Sequence, residues 1–249
     1  MRLRAIACEV LARPLYAAAV LSPHVVDFDL IDRGLHHDPD LLRTALQAKI
    51  DEVNQERYDA VVLAYALCSN STAGLMARGR SLIMPRAHDC ITLYLGSRHA
   101  YTEEFNGNPG TYYYTADYTE RMLTDGVALG AIADSAIQKS YEEYVEKYGE
   151  DNAKYLTEVM GGWRQHYKRA AFIAMGVGTD DDAAAKARED ADKNGWSFER
   201  VQGDARLLRK LLHGEWDEEF LRVPPGEAIG VTYDEDIVRA CPFAERKRR

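Results

Sequence analysis

Apolar and polar positions follow two rhythms along the first third of the chain. Leu3–Cys8 is a short apolar run that reads as a strand, and Leu11–Leu21 follows with helical spacing. Val25–Ile31 (VVDFDLI) alternates apolar and acidic residues, the pattern of a half-buried strand. After the turn GLHHDP, Asp38 and Pro39 open a helix in which Leu41, Leu42, Ala45, Leu46, Ile50 and Val53 recur at helical spacing. Asp59–Tyr65 reads as a buried strand, and Leu82–Met84, ahead of Pro85, as a fourth. Strands separated by helices of this length predict a parallel sheet with right-handed crossovers.

The rhythm changes in the middle. Residues 106–118 (NGNPGTYYYTADY) combine a Gly/Pro/Asn turn with a tyrosine-rich segment, and Ala131–Trp163 carries a helical pattern. Alternation then resumes, with strands at Ala170–Met175, Ser197–Val201 and Phe220–Val223 and helices at Asp180–Lys193 and Asp204–Leu212. The expected fold is α/β: a Rossmann-like parallel sheet with helices on both faces, a helical insert, and a second, smaller α/β portion. The portions run over residues 1–110, 111–168 and 169–249. The last three strands either extend the first sheet or build a second lobe, and the long insert favours the lobe.

Composition narrows the class. With 46% hydrophobic and 29% charged residues, general disorder is excluded. A net charge of −9 argues against nucleic-acid binding, which needs a basic footprint. The basic tail ERKRR is short and reads as a solvated terminus. No apolar run approaches the roughly 20 residues of a membrane-spanning helix. Glu9, Arg13 and Pro14 interrupt the apolar start, so it does not read as a signal peptide. The expected location is the cytoplasm, where the four cysteines are reduced thiols: buried fillers, metal ligands or reactive groups.

In open parallel sheets, ligands bind beyond the carboxyl ends of the strands, where the strand order reverses. Cys8 ends the first strand, and His36 and His37 follow the second. Cys68 follows the third in LAYALCSNSTAGL, and His88, Asp89 and Cys90 follow the fourth in MPRAHDCITL. With the strand order 2-1-3-4, three cysteines and a histidine crowd one rim. Thiolate and imidazole are the ligands that zinc and other borderline-soft metals prefer. Cys68, His88 and Cys90 are therefore candidate metal ligands, with Cys8 as a fourth. Each cysteine alone reads as a small buried hydrophobe, and the weight lies in their equivalent positions after the strands.

Asp89 could serve as a base or orient an imidazole, and it could equally cap the helix that begins at ITLYLG. Arg86 could bind a carboxylate or phosphate, or simply form a surface ion pair. Ser69 and Asn70 lie in a loop whose small residues and hydroxyls, at a helix start, suit an anion or a metal-bound ligand. MGVGTDDD resembles half of a dinucleotide fingerprint, but Asp180, Asp181 and Asp182 stand where a pyrophosphate needs positive potential. Tyr112, Tyr113 and Tyr114 alternate faces if extended, and core packing is their simplest role. They and the Ala131–Trp163 helices are also candidates for a lid over the rim.

ACEVL, IDRGLHHDPDLLRTALQAKID, YDAVVLAYALCSNSTAGL, PRAHDCITLYLGS, NPGTYYYT and GWSFERVQGDARLLRKLLHGEWD resemble domain-of-unknown-function family 1638 over nearly the whole chain. The resemblance implies a fold and a neighbourhood rather than a mechanism, because the family has no settled activity. Its members occur in anaerobic and methylotrophic microbes, often beside corrinoid-dependent methyltransferase systems. Family members commonly carry a glycine where this chain has Ala66 or Ser69. There is also a chemical analogy: zinc methyltransferases that pass a methyl group from a corrinoid to a thiol use a His-x-Cys pair and a distant Cys, and His88-x-Cys90 with Cys68 is similar in composition. Their barrel fold lends it no support.

Three functional expectations follow. The first is a metal-dependent enzyme, with zinc or another soft divalent metal, in one-carbon or thiol metabolism. It would act on a small-molecule substrate, with a corrinoid or corrinoid protein as partner, and without nucleic acid or membrane. The second is a non-enzymatic protein that binds or delivers a corrinoid or metal. The third is an adenosyl-dependent methyltransferase using the second α/β portion.

Overall fold

The computed structural model describes residues 1–121, 145–146, 149–150 and 166–242. Most of the expected Ala131–Trp163 helical segment and the ERKRR tail lie outside the described residues. The architecture is α/β, with a mostly parallel central sheet flanked by helices. Two compact units divide the chain: Met1–Thr102 joined by the chain from Gly203 onward, and Glu103–Gln202.

The first unit holds β1 (Arg2–Cys8), β2 (Val25–Ile31), β3 (Ala60–Ala64), β4 (Leu82–Pro85) and β8 (Phe220–Val223), in the order β2-β1-β3-β4-β8. The first four strands are parallel and in the order expected from the sequence, and β8 is antiparallel to β4. Each residue of β3 (AVVLA) is buried, as a strand with no polar alternation should be at the centre of a parallel sheet. The helices are α1 (Ala12–Val20), α2 (Pro39–Asp51), α3 (Cys90–Leu95), α4 (Arg98–Gly107), which crosses into the second unit, and α7 (Arg206–His213). In α2, Asp38 accepts from the Asp40 and Leu41 N–H groups at 3.0 Å, Pro39 sits in the first turn, and Leu42, Leu46 and Ile50 are buried.

Two features differ from the sequence expectation. No helix joins β3 to β4. Residues 74–77 instead pair antiparallel with a C-terminal hairpin, β9 (Glu227–Val231) and β10 (Val238–Pro242), through the Met76–Ala228 bridge. And the strand expected in a second lobe at Phe220–Val223 returns to the first sheet. The reason is local: Gly214 (φ 75°) ends α7, and the turn behind it is tied back to that helix. Arg206 reaches Glu219, and Lys210 reaches Asp217 and Glu219. The 169–249 portion is thereby split between the units at Gln202 and Gly203.

The second unit has its own parallel sheet, β5 (Thr111–Tyr114), β6 (Arg169–Ala174) and β7 (Ser197–Gln202), in the order β5-β6-β7. The tyrosine segment is therefore a sheet strand and not part of an insert. Short α5 (Ala116–Glu120) and alanine-rich α6 (Asp180–Asn194) pack with it. Tyr112, Tyr114, Phe172 and Trp196 fill one core with Ala183, Ala187 and Ala191, so small helix residues face large strand residues. Tyr113 points to the opposite face, beside Glu104, whose carboxylate pairs with Arg169 at 2.5 Å. The fit of α6 against aromatics leaves no room for a larger side chain at Ala187, which is 1% exposed. Ala187→Leu is expected to lower stability by about 1–3 kcal/mol, read as a lower urea midpoint by circular dichroism.

Candidate functional site

The strand order reverses between β1 and β3, because β2 lies on the outer side of β1 while β4 lies beyond β3. That is the position at which a parallel sheet opens a crevice for ligand. Cys8 closes β1 at this point. Hydrogen bonds then carry the pairing of β3 and β4 past both strand ends: Leu67 N–H to the Ala87 carbonyl and Cys68 N–H to the His88 carbonyl, each at 2.9 Å. They set the loop bearing Cys68 alongside the segment bearing Cys90. The Tyr94 hydroxyl donates to the Val10 carbonyl and so ties α3 to the turn behind Cys8.

Cys68, Ser69 and Asn70 are consecutive residues in the left-handed region, with φ of 46°, 54° and 66°. For non-glycine residues this conformation costs roughly 1–2 kcal/mol each, so the loop persists only because its surroundings hold it. Ser71 donates to the Cys68 carbonyl through its N–H at 3.0 Å and through its hydroxyl. Buried Thr72 bonds the Ala66 carbonyl at 3.2 Å, and Arg43 bonds that of Asn70 at 2.8 Å. The helix start expected at this loop is absent: the chain turns without entering a helix, and Ser69 and Asn70 are exposed. Their arrangement offers no helix dipole to an anion.

The three rim cysteines share one neighbourhood. Burial is the largest influence on each, raising Cys8 and Cys68 from 9.0 to about 12 and Cys90 well above 9.0. Charge on Cys8 would raise both other thiols, and charge on Cys68 would raise Cys90, as would the Asp89 carboxylate. At neutral pH the free protein therefore holds neutral thiols. A nucleophilic cysteine requires the opposite shift.

Tyr65, immediately after β3, lies against the Cys8 thiol and is 1% exposed. Its hydroxyl faces the Cys8 sulfur, a weak hydrogen-bond partner. His36 stacks on the Tyr65 ring at 5.9 Å and 16°, with Nδ1 3.0 Å from the Arg33 carbonyl. One of the two expected histidines thus reaches the rim, while the side chain of His37 lies outside the described residues.

The remaining candidates have structural roles in this arrangement. Asp89 caps α3, accepting from Ile91 N–H at 3.0 Å and Thr92 N–H at 3.3 Å, and also from the Tyr101 hydroxyl at 3.1 Å. Burial raises its pKa. Arg86, expected at an anion, instead clamps the C-terminal hairpin: Nη1 donates to the carbonyls of Asp236 and Val238 and lies 3.5 Å from the Asp236 carboxylate. Its charge is engaged there because the hairpin turn presents carbonyls that need a donor. His88 is exposed, and its contribution to the rim is the carbonyl that holds Cys68. Cys241 belongs to the hairpin, its thiol donating to the Ala228 carbonyl at 3.5 Å.

In the second unit, Asp180 accepts from the Gly176 N–H at 2.9 Å and Arg200 pairs with Asp181 at 2.7 Å, so the MGVGTDDD acids brace their own loop and helix. Among the described residues, no group of three or more His, Cys, Asp or Glu side chains is placed so that it could hold a metal ion as it stands. Nor is any helix among them long and apolar enough to cross a membrane.

No sequence feature singled out Tyr65, because a tyrosine ending an apolar strand reads as core. The left-handed run had a weak signal, since asparagine and serine tolerate that conformation better than most residues. The thiols yield a prediction. Cys8 and Cys68 ionise near 9 when unfolded and near 12 when folded, so their stabilising contribution is complete below about pH 9 and is lost as pH rises toward 12. The urea midpoint should hold steady at neutral pH and fall above about pH 9, and the fall should be shallower in Cys8→Ser and Cys68→Ser. A second expectation concerns Arg86→Met. It should loosen the hairpin and speed alkylation of Cys68 by iodoacetamide at neutral pH, with the labelled site read by mass spectrometry.

No curated protein and no solved structure matches the chain. A family model described as protein of unknown function (DUF1638) matches residues 30–212, a span that contains Tyr65, Cys68, Asp89 and Cys90 and leaves Cys8 outside. With more than half its length matched, the chain belongs to the DUF1638 family.

Proposed function

We propose that this protein is a metal-dependent enzyme of one-carbon or thiol metabolism, with a soft divalent ion, zinc or a relative, held by thiols at the switch point of the first sheet. The observation that carries this reading is the convergence of Cys8, Cys68 and Cys90 from three different strand ends onto one neighbourhood. The donor chemistry suits the ion, and the strained loop presenting Cys68 is typical of a segment shaped by function. The resting arrangement is not a finished cage. Loading would require the thiols to surrender their protons and the sulfurs to draw together, so uptake is coupled to pH.

When bound, such an ion supplies Lewis acidity and lowers the pKa of a thiol or water beside it. The chain's own residues provide the rest. Cys8, Cys68 and Cys90 supply sulfur, the Leu67–Ala87 and Cys68–His88 hydrogen bonds hold two of them in register, and His36 over Tyr65 covers part of the rim. A small substrate thiol or a methyl carrier of the corrinoid type fits the chemistry of an open coordination position.

The neutral resting thiols favour a second reading, a carrier that takes up and releases the metal or a corrinoid. A site that must lose protons to load also sheds its ion when acidified. Metal content and cobalt(II) titration of protein purified without oxygen test the shared core of both. About one equivalent is expected, lost in Cys68→Ser and Cys90→Ser with the fold retained. Folded wild-type protein that takes up no metal sinks both readings. Transfer of the ion to a competing chelator separates them: slow transfer supports the enzyme, fast transfer the carrier.

A further inference from the structure

The sheet of the first unit begins at β2, which pairs with β1 on one side and, among the described residues, with no strand on the other. Val25 donates its N–H to the Met1 carbonyl at 3.1 Å, so the alternate residues Val26, Phe28 and Leu30 turn their N–H and C=O groups outward. Open edges are commonly blunted by proline, lysine or a bulge, and β2 (VVDFDLI) has none of these. At the edge of the second sheet, β7 instead exposes Ser197, Glu199 and Arg200. An apolar flank lies beside the open edge. Val20 and Leu21 are 83% and 72% exposed, and Tyr16 and Val25 about half. The Tyr16 ring meets that of Phe28 edge-on at 5.2 Å, and Val20 stands one turn further along α1. Single exposed apolar residues are ordinary, whereas a contiguous flank of them marks an interaction surface.

We infer that a second copy of the chain covers this flank, with β2 of each copy paired antiparallel across a two-fold axis at Phe28. The sequence of β2 is what selects a copy of itself. About Phe28 it reads alike in both directions: apolar, apolar, acid, aromatic, acid, apolar, apolar. Phe28 then faces its own copy, Val26 faces Leu30, Val25 faces Ile31, and Asp27 faces Asp29. A two-fold axis normal to the sheet keeps every side chain on its own face, so apolar residues meet apolar residues throughout. The hydrogen-bond phase agrees, because Val26, Phe28 and Leu30 are the residues whose backbone groups point outward, and each facing pair of them exchanges two bonds. A register centred one residue earlier sets Asp27 against its own copy and Val25 against Asp29.

Charge fits the same register. Facing aspartates repel unless they are neutralised, and these bring their own cations. Arg4 grips Asp29 through two nitrogens, at 2.6 and 2.5 Å, and the Tyr58 hydroxyl donates to Asp27 at 2.8 Å. Arg57 and Arg2 stand 3.2 and 4.0 Å from Asp27, each about half exposed. Each copy thus brings three guanidinium groups to two carboxylates, leaving positive charge to spare for the acids that face it. The surface is also of the right extent. A standard interface takes about 800 Å² from each partner. The exposed side chains of α1 and the turn behind it supply a few hundred Å² of this, and the seven-residue edge strand adds to it. With the axis normal to the sheet, Tyr16 and Val20 of both copies flank the joined strands on one side.

Sedimentation equilibrium of the reduced full chain reads the assembly, and twice the mass of one chain is expected. Val20→Glu places a charge on the flank and leaves the core alone, since Val20 lies outside it. It should keep the circular dichroism of the wild type and weaken dimerisation at least about tenfold. Phe28→Cys tests the register. Facing residues of a hydrogen-bonded pair have Cα atoms about 5.5 Å apart, within disulfide reach. Oxidised glutathione should therefore link two chains through position 28, read by mass spectrometry of the joined peptides. Val25→Cys, about 20 Å from its copy at about 3.4 Å per residue, should not link.

Wild-type protein that sediments as a single chain up to about 100 µM overturns the inference. So does a dimer that Val20→Glu leaves intact, because the copies then meet elsewhere. A dimer that links through Val25→Cys and not through Phe28→Cys overturns the two-fold at Phe28. If Phe28→Cys does not fold, a mixture of Val26→Cys and Leu30→Cys chains decides in its place. These positions face each other across the axis, so the mixture should link while neither variant links alone, and a mixture that stays unlinked overturns the pairing.

Discussion

Two backbone hydrogen bonds, from Leu67 to Ala87 and from Cys68 to His88, extend the pairing of β3 and β4 beyond the strands themselves, and the geometry of the rim depends on them. They hold the chain after β3 against the chain after β4 at the point where it must turn. Because Cys68 is fixed on its N–H side by His88 and on its carbonyl side by Ser71, its backbone is held at φ 46° and is followed by two more left-handed residues. Released from either partner, those three residues would relax to ordinary conformations and Cys68 would leave the neighbourhood of Cys90. The strain and the thiol cluster are two views of the same restraint.

Burial then sets the chemistry. The rim lies beside Leu63, Ala64 and Tyr65, where water is scarce and charge is disfavoured. Thiols in that setting keep their protons, as does the neighbouring phenol. The crevice is thus quiet in the free protein. It gains charge only through something that displaces protons, and an ion with affinity for sulfur does so.

The sheet order of the first four strands could be read from the sequence because alternation of short apolar runs with helix-length segments leaves few topologies. The positions of Cys8, Cys68 and Cys90 after those strands followed from the same reading. Other features were hidden for physical reasons. The return of β8 beside β4 rests on contacts of Glu219 and Asp217 with α7, which are close in the chain but leave no mark on the alternation of apolar and polar positions. The loop between β3 and β4 lacks a helix because the hairpin supplies hydrogen-bond partners to residues 74–77 from about 150 residues away, comparable to the separation of Arg86 and Asp236. A tyrosine ending an apolar strand looks the same whether its hydroxyl is satisfied or not, so Tyr65 could be noticed only in three dimensions.

The hairpin at Glu227–Pro242 lends its carbonyls to Arg86 and its edge to the loop behind Cys68. This has a consequence for the order in which the molecule is built on the ribosome. Cys8, Cys68 and Cys90 all emerge early, yet the strands that brace their surroundings are the last described part of the chain. At ordinary rates of synthesis, the interval between Cys90 and Val238 is roughly ten to thirty seconds. Through that window the loop behind Cys68 lacks the edge it pairs with, and Arg86 lacks its carbonyl partners. Completion of the C-terminal hairpin is thus the step that finishes the bracing of the rim, and a cell using this protein gains from keeping the nascent chain reduced until translation is done.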